Sequence, residues 1–483
     1  MNRTFCLVAR IVSVAVLVVC AGPRAEPAEA QGQPRRPNVL FLFTDDQRED
    51  TVGALGNPHI KTPHLDKLVE SGLTFRNAYC MGGYSPAVCL PSREMTLTGR
   101  SWFAVRSLAK DAPTFPRSMN EAGYLTYHHG KRGNSAVRVQ EAFARNAYLQ
   151  DDADRTSGYP MRTLADQAVA FLREYRRMKA GGDGPVKPFF MYLAPANPHD
   201  PRVAAPEYLN RYDAAKVPLP ANFLPLHPIN NGELVIRDER LAPWPRTQDE
   251  IRRQIRDYYA VITAMDEQFG RILDCLREIG EYDNTILVFS SDQGLALGSH
   301  GLMGKQNLYE HSMGAPLVFS GPGIPRGKSS EAFAYLFDIY PTVCELVGAP
   351  VPDGLDGKSL APVIRGQRVG VRDTIFLAYR DVQRAVRHGR WKLIRYPQVD
   401  ATQLFDLEAD PHETKDLAAD PGQARRIREL MDLLRRQQEL FGDTCPLAVD
   451  QPQPAGVTLE LLEKLAAAAP KPPAVARKRA PVR

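Results

Sequence analysis

Two acidic pairs and one cysteine segment carry most of the chemistry legible in this chain. Asp45-Asp46 and Asp292-Gln293 offer three carboxylates and an amide oxygen. Hard oxygen donors of this kind suit Ca2+ or Mg2+ and suit zinc poorly, because zinc prefers nitrogen and sulfur. Alone, an Asp-Asp pair after a strand is more often a helix N-cap or a turn. The third segment is Cys89-Leu90-Pro91-Ser92-Arg93, which runs on to Thr98-Gly99-Arg100. An isolated segment like it is ordinarily a buried or disulfide-bonded cysteine beside a surface arginine. Two acidic pairs at equivalent strand ends, in one chain with this cysteine segment, are much less expected by chance.

The elements that must hold these residues are strands. Asn38–Phe43 and Thr285–Ser290 are continuous apolar runs that end at Asp45-Asp46 and at Asp292-Gln293. Such runs read as strands buried on both faces of a parallel sheet, and ligands collect beyond the carboxyl ends of such strands. A third run, Pro188–Leu193, leads into Asn197-Pro198-His199, and a fourth spans Ala315–Ser320. Helical patterns lie between them at Thr62–Ser71, Leu164–Met178 and Ile251–Ile279, with Gly72 and Gly280 as stops. The alternation predicts an α/β domain over residues 36–360. Short alternating strands follow at Thr374–Tyr379, Gln383–Arg387, Trp391–Tyr396 and Gln403–Leu407, then a helix at about 422–440. They predict a small C-terminal α+β domain, an antiparallel sheet plus a helix, over residues 361–445. The Pro/Ala/Lys/Arg-rich tail, 446–483, is expected to lack fixed structure apart from a short helix at Leu459–Ala468.

At 483 residues the chain can bury a large core and a smaller one. A hydrophobic content of 43% with 24% charged residues is that of a soluble globular protein. The net charge of +5 is small, falls partly in the tail and forms no concentrated basic face, so nucleic acid is not an expected partner. Residues 1–30 read as a signal peptide: Arg3 and Arg10, an apolar stretch from Ile11 to Cys20, and Ala28-Glu29-Ala30 as the cleavage site. That stretch is too short to span a bilayer comfortably and no other approaches the length, so the expected protein is secreted or periplasmic. Of seven cysteines, Cys6 and Cys20 fall in the signal. Setting Cys89 aside leaves Cys80, Cys275, Cys344 and Cys445, either two disulfides of unknown pairing or plain buried thiols.

From Pro37 to about Leu417 the chain resembles the type I, formylglycine-dependent sulfatases of the alkaline phosphatase superfamily. The resemblance rests on Cys89-Leu90-Pro91-Ser92-Arg93 with Thr98-Gly99-Arg100, which matches C-x-P-S-R followed by T-G-R. It implies an alkaline-phosphatase-like, mostly parallel sheet flanked by helices. It also implies that Cys89 is oxidised to formylglycine by a maturation enzyme and becomes the nucleophile. A metal, usually Ca2+, would be held by Asp45, Asp46, Asp292 and residue 89, with Gln293 standing where the family has Asn or His. Arg93 would orient the nucleophile and its metal. Lys131, in Gly130-Lys131, would bind sulfate. His199 would contact the sulfate, and His199 or Lys305 would protonate the leaving alcohol. The implied reaction is attack on sulfur by one hydroxyl of the hydrated aldehyde, after which the second hydroxyl loses a proton and sulfate is expelled. Gly133 replaces the family's histidine in G-K-x-H, the residue thought to assist that release. His311 is the first candidate to replace it, with Asn134, His128, His129 and His300 as others. The expected substrate is a sulfated carbohydrate or other sulfated small molecule. Two rivals are a phosphonate or phosphate ester hydrolase on the same scaffold and a non-catalytic binder of sulfated glycans.

Overall fold

Strand β1 (Asn38–Thr44) is apolar along its whole length and buried at every position, as the middle of a parallel sheet requires. Its alternating side chains enter two different cores. Leu40 and Leu42 pack with the helices Pro63–Glu70, Arg162–Ala180 and Gln248–Glu278, while Val39, Phe41 and Phe43 face the side that holds the helix Cys89–Thr98. The computed structural model describes Met1 and residues 35–150, 153–181 and 186–469. The expected signal peptide after Met1 and residues 470–483 lie outside the described residues.

The other strands are β2 (Gly72–Tyr79), β3 (Gly82–Gly83), β4 (Leu125–Gly130), β5 (Arg145–Tyr148), β6 (Phe189–Ala194), β7 (Thr285–Ser291), β8 (Leu317–Ser320) and β9 (Lys328–Tyr335). The second sheet adds β10 (Thr374–Tyr379), β11 (Gln383–His388), β12 (Trp391–Tyr396) and β13 (Ala401–Asp406). The large sheet runs β5-β4-β6-β1-β7-β8-β2-β9 and is parallel except for β8, which lies antiparallel to both neighbours. This is the alkaline-phosphatase-like α/β arrangement that the sequence implied. Pairing of β1 with β7 continues past the strands, because Asp292 N donates to Thr44 O at 3.1 Å. Asp45 N donates to Asn197 O at 3.1 Å, so three central strands end together and deliver Asp45, Asp292 and Asn197-Pro198-His199 to one edge.

The second sheet, β13-β12-β11-β10-β3, is antiparallel except where β3 joins β10 in parallel. Gly82 has φ 102°, and a Cβ there would lie 2.2 Å from Ala378 O, so only glycine lets this segment reach β10. The contact ties the second sheet to the chain just ahead of Cys89. Helix Ala424–Phe441 covers that sheet with Leu430 and Leu434.

Residues 446–458 depart from the expectation of disorder, while the short helix expected at Leu459–Ala468 is present. Gln453 N donates to Gln398 O at 2.9 Å, Asn230 N donates to Ala455 O at 2.7 Å, and the helix Leu459–Ala468 buries Leu462. Backbone pairing to loops supplies the order that Pro/Ala composition does not advertise. Cys80, Cys89, Cys275, Cys344 and Cys445 are all free thiols, so no disulfide forms among the described residues. No described helix is long and apolar enough to cross a membrane.

Gly130 ends β4 where a Cβ would stand 2.4 Å from Ala194 O. Gly130→Ala is expected to cost about 1–3 kcal/mol by overpacking, read as a shift of the urea midpoint. At Gly133 a Cβ meets nothing within 4 Å. Gly133→Ala is therefore expected to change stability by less than about 0.5 kcal/mol.

Candidate active site

The site begins with three buried carboxylates and one buried guanidinium. Asp45 and Asp46 leave β1, Asp292 leaves β7, and the ligand-capable atoms of all three lie with Cys89 Sγ within 4.8 Å of one another. Asp46 adopts φ 62°, a left-handed backbone conformation straight after Asp45. It is pinned from both sides: Asp46 N donates to Asp292 Oδ1 at 2.9 Å and Tyr258 Oη donates to Asp46 O at 2.5 Å. Arg93 is fully buried, and its Nε and Nη2 reach Asp292 Oδ2 and Asp45 Oδ2, each at 3.0 Å. Its guanidinium also lies over the Phe43 ring, 5.3 Å from the centroid.

Cys89 and Arg93 are one helical turn apart on Cys89–Thr98 and so share a face. The helix stops at Gly99, φ 67°, and Arg100 Nη1 then donates to Thr98 O at 2.8 Å. Thr98-Gly99-Arg100 is thus the C-terminal stop of the helix that carries the thiol. Ser92 Oγ donates to Asp292 O at 2.5 Å and fastens the helix to β7. Cys89 Sγ donates to Asp45 Oδ1 at 3.2 Å, and Lys305 Nζ and Gln293 Nε2 both donate to the sulfur at 3.2 Å. Lys305 Nζ bridges both oxygens of Asp46 at 2.8 Å, and Lys131 Nζ is ion-paired with Asp45 Oδ2.

Burial dominates the electrostatics and the charges decide its outcome. Burial would raise the Asp45 carboxyl, but Lys131, Arg93, His199 and Lys305 together hold it far below the usual range. Asp292, raised by burial and then by the Asp45 charge, sits at about 6. Lys305 is held well above its ordinary value, since Asp46 and the other anions outweigh its burial. The Cys89 thiol is pushed well above its ordinary value by burial, then by Asp292 and Asp45. An unmodified thiol in that setting stays protonated and is a poor nucleophile.

His199 follows β6. Its Nδ1 bonds to Asp200 O at 2.7 Å, and a carbonyl can only accept, so Nδ1 carries the proton and Nε2 faces Asp46 Oδ2 at 3.7 Å. Asp200 is itself clamped by two nitrogens of Arg237. Two cavities open over His199, of about 780 Å3 and 380 Å3. Lys131 lines the larger, Lys305 the smaller, and Asn134 both.

Cys89, Arg93, Lys131, His199, Lys305, Asp45, Asp46, Asp292 and Gln293 therefore converge, and Asn134 stands at the mouth. His128 and His311 do not join them. His128 is buried in β4, bonded to Asn146 Oδ1 at 2.7 Å and stacked on Tyr192. His311 is buried in a separate group with His300 and Glu413. Proximity in sequence to Lys131 and Lys305 misled, because strand alternation and the turn after Lys305 point these imidazoles elsewhere. Sequence reasoning missed Asp200, Arg237 and Glu239. Asp200 had a signal, its place beside His199. Arg237 and Glu239 had none; Glu239 accepts from Met303 N and Gly304 N, pairs with buried Arg246 and so holds the loop of Lys305.

The donor set fits a hard divalent cation. Three carboxylates face one small volume, and Gln293 Oε1 is buried without a hydrogen-bond partner while its Nε2 donates to Asp46 Oδ1 at 2.6 Å. Amide oxygen and nitrogen exchange places by a simple flip, which would turn that orphaned oxygen toward the carboxylates as a fourth oxygen ligand.

Residues 37–349 match the family profile described as Sulfatase, and residues 298–440 match that of N-sulphoglucosamine sulphohydrolase, C-terminal. The chain is 27% identical over 522 aligned residues to the N-acetylglucosamine-6-O-sulfatase of Bacteroides thetaiotaomicron, covering 89% of this chain and 90% of that protein. A solved structure in complex with its substrate, D-glucosamine-2-N,6-O-disulfate, superposes with a TM-score of 0.71 at 26% identity over 86% of this chain and 99% of the other. The phosphonate monoester hydrolase of Silicibacter pomeroyi shares the fold, with a TM-score of 0.68 at 23% identity over 85% and 96% of the two chains.

Two outcomes follow from this geometry. Arg93→Met leaves Asp45 and Asp292 facing each other in a buried site and is expected to cost about 3–5 kcal/mol, measured by denaturant unfolding. Protons compete with a cation for Asp292, so cation affinity is expected to hold above pH 6 and to weaken as pH falls below about 6, followed by titration calorimetry.

Proposed function

The chain belongs to the sulfatase family and is a sulfuric ester hydrolase, and we propose that it removes sulfate from a sugar through a formylglycine made from Cys89 and a bound divalent cation, Ca2+ or Mg2+. The observation that carries this reading is the place of Cys89 Sγ, 3.2 Å from both Asp45 Oδ1 and Lys305 Nζ at the first turn of a helix. A helix N-terminus favours anions. The sugar is supported by the name of the N-acetylglucosamine-6-O-sulfatase and by the solved complex with D-glucosamine-2-N,6-O-disulfate.

Asp45, Asp46, Asp292 and Gln293 would hold the cation together with residue 89, and the cation would supply charge stabilisation to the sulfate oxygens and to the attacking hydroxyl. The remaining steps fall to the chain's own side chains. Lys131 Nζ and Lys305 Nζ bind sulfate oxygens where they now bind carboxylates. Arg93 orients: its bonds to Asp45 and Asp292 fix the carboxylates relative to residue 89. His199, its Nδ1–H held by Asp200 O, acts in the imidazolium form: Nε2 carries the second proton and passes it to the departing alcohol oxygen, leaving the neutral ring, with Lys305 Nζ as the second donor on that side. With His128 and His311 packed elsewhere, the proton lost as sulfate is released goes to water at the mouth, beside Asn134. The sugar occupies the cavities over His199. Processing of residues 1–30 and export to the periplasm or medium belong to the same proposal, checked by N-terminal sequencing of the native protein.

Paired kinetics test the reaction. The kcat/KM for an aryl sulfate and for sulfated glucosamine is expected to exceed that for the matching phosphate and phosphonate esters. A preference for phosphonate monoesters would overturn the substrate class, and binding of sulfated glycan without turnover by matured protein would favour a binder. Cys89→Ala is expected to lower turnover by at least about 100-fold, or ~2.7 kcal/mol of barrier, with an unchanged unfolding midpoint.

A further inference from the structure

Three buried side chains meet at a second place in the fold. His300 and His311 flank the loop that carries Lys305, and Glu413 lies in the loop after the second sheet. Their ligand-capable atoms are all within 4.8 Å of one another, and the residues are only 6%, 7% and 2% exposed. His300 Nε2 and both ring nitrogens of His311 have no hydrogen-bond partner. Buried polar atoms are rarely left so, and several in one place call for a water or an ion that bonds to them.

The rings are held for such a role. His300 stacks on Tyr309 at 3.9 Å between centroids, and His311 lies 5.6 Å from the same ring. His300 N donates to Asn222 O at 2.7 Å. Burial draws His300 down to about 3, and burial with the neighbouring His300, Arg48 and Lys392 draws His311 well below its ordinary value. A neutral imidazole keeps a lone pair, which is the form that binds metal.

We propose that His300, His311 and Glu413 form a second cation site, for zinc or a similar borderline transition ion, separate from the oxygen-rich site at Asp45, Asp46 and Asp292. Two imidazoles and a carboxylate make a recognised zinc donor set that leaves a fourth position for water. Zinc at ~2.0–2.2 Å from each ligand sets ligand atoms about 3.4 Å apart. From separations of at most 4.8 Å, closure requires no more than about 1.4 Å of side-chain movement. Both oxygens of Glu413 have partners: Lys392 Nζ lies 2.8 Å from Oε1 and equally from Glu310 Oε1, and Glu310 N donates to Oε2 at 2.8 Å. A dication takes Glu413 and leaves Lys392 its bond to Glu310. Arg48, the other nearby cation, is already paired with Asp50 at 2.6 Å. A cavity of about 370 Å3 lies close by, lined by Asn222, whose carbonyl accepts from His300 N, and by His412, the residue before Glu413. The ion would tie the His300–His311 loop, and with it Lys305, to the second sheet.

The test uses the full chain stripped with chelator and reloaded with Zn2+ or Co2+ alone. Expected are a zinc-dependent rise in Tm, a visible absorption band for four-coordinate Co2+, and an anomalous-scattering peak at the zinc edge between His300, His311 and Glu413. His311→Gln and Glu413→Gln should lose the band and the rise, and Asp292→Asn should keep both. Absence of the band and of the rise in the unsubstituted protein would overturn the proposal, and so would a zinc peak found only at Asp45 and Asp292. Should the variants fail to fold, the position of the anomalous peak in the unsubstituted protein decides.

Discussion

Arg93 is the residue on which the site depends, because it bonds to both strand ends at once. Parallel pairing of β1 with β7 places Asp45 and Asp292 side by side at the sheet edge, and Asp46 turns in beside them. Like charges about 4 Å apart repel by roughly 4 kcal/mol at an effective dielectric constant of 20, and burial adds to that cost. A guanidinium with two nitrogens at 3.0 Å from the two strands removes most of it. The fork shape matters, since a lysine could not present two fixed donors to two carboxylates. The same helix carries Cys89 one turn earlier, so the group that makes the carboxylates tolerable also delivers the thiol to them.

Around this bridge the charges come close to balance. Lys131 faces Asp45 and Lys305 faces Asp46, so with Arg93 three cations stand against three anions. A cation held among the carboxylates would free both ammonium groups to bind an anionic substrate, so that one set of side chains would serve both states. Cys89 sits inside that set as a neutral thiol, poorly suited to attack. Conversion to a hydrated aldehyde would place a hydroxyl there, a better nucleophile than a protonated sulfur. His199 enters from β6, its ring fixed through Asp200 and Arg237, and completes the site.

The parts of this arrangement that were legible in the sequence are those carried by short contiguous segments. Asn38–Thr44 and Thr285–Ser291 announce buried strands by continuous apolar character, and the acidic residues just beyond them must then share an edge. The helix Gln248–Glu278 was read to within a few residues because its apolar face repeats over many turns. β9, which begins Lys328-Ser329-Ser330-Glu331, and the two-residue β3 gave no such signal, since one is half polar and the other consists of glycines. The clamp Arg237–Asp200 and the buttress Glu239–Arg246 come from the long segment between β6 and helix Gln248–Glu278, where no periodicity exists to place a residue in space. The histidines were misplaced for a related reason: distance along the chain from Lys131 or Lys305 says nothing of direction once the backbone is pleated or turned.

The central claim is that residue 89 works as an aldehyde held against a cation and two lysines. It is tested most directly by the mass of the proteolytic peptide that spans position 89, taken from protein made alongside a formylglycine-generating enzyme and assayed in parallel for sulfate release. The account predicts an aldehyde at residue 89, labelled by a hydrazide probe, in a fraction that scales with specific activity. Full sulfatase activity from protein in which Cys89 remains an unmodified thiol would contradict it.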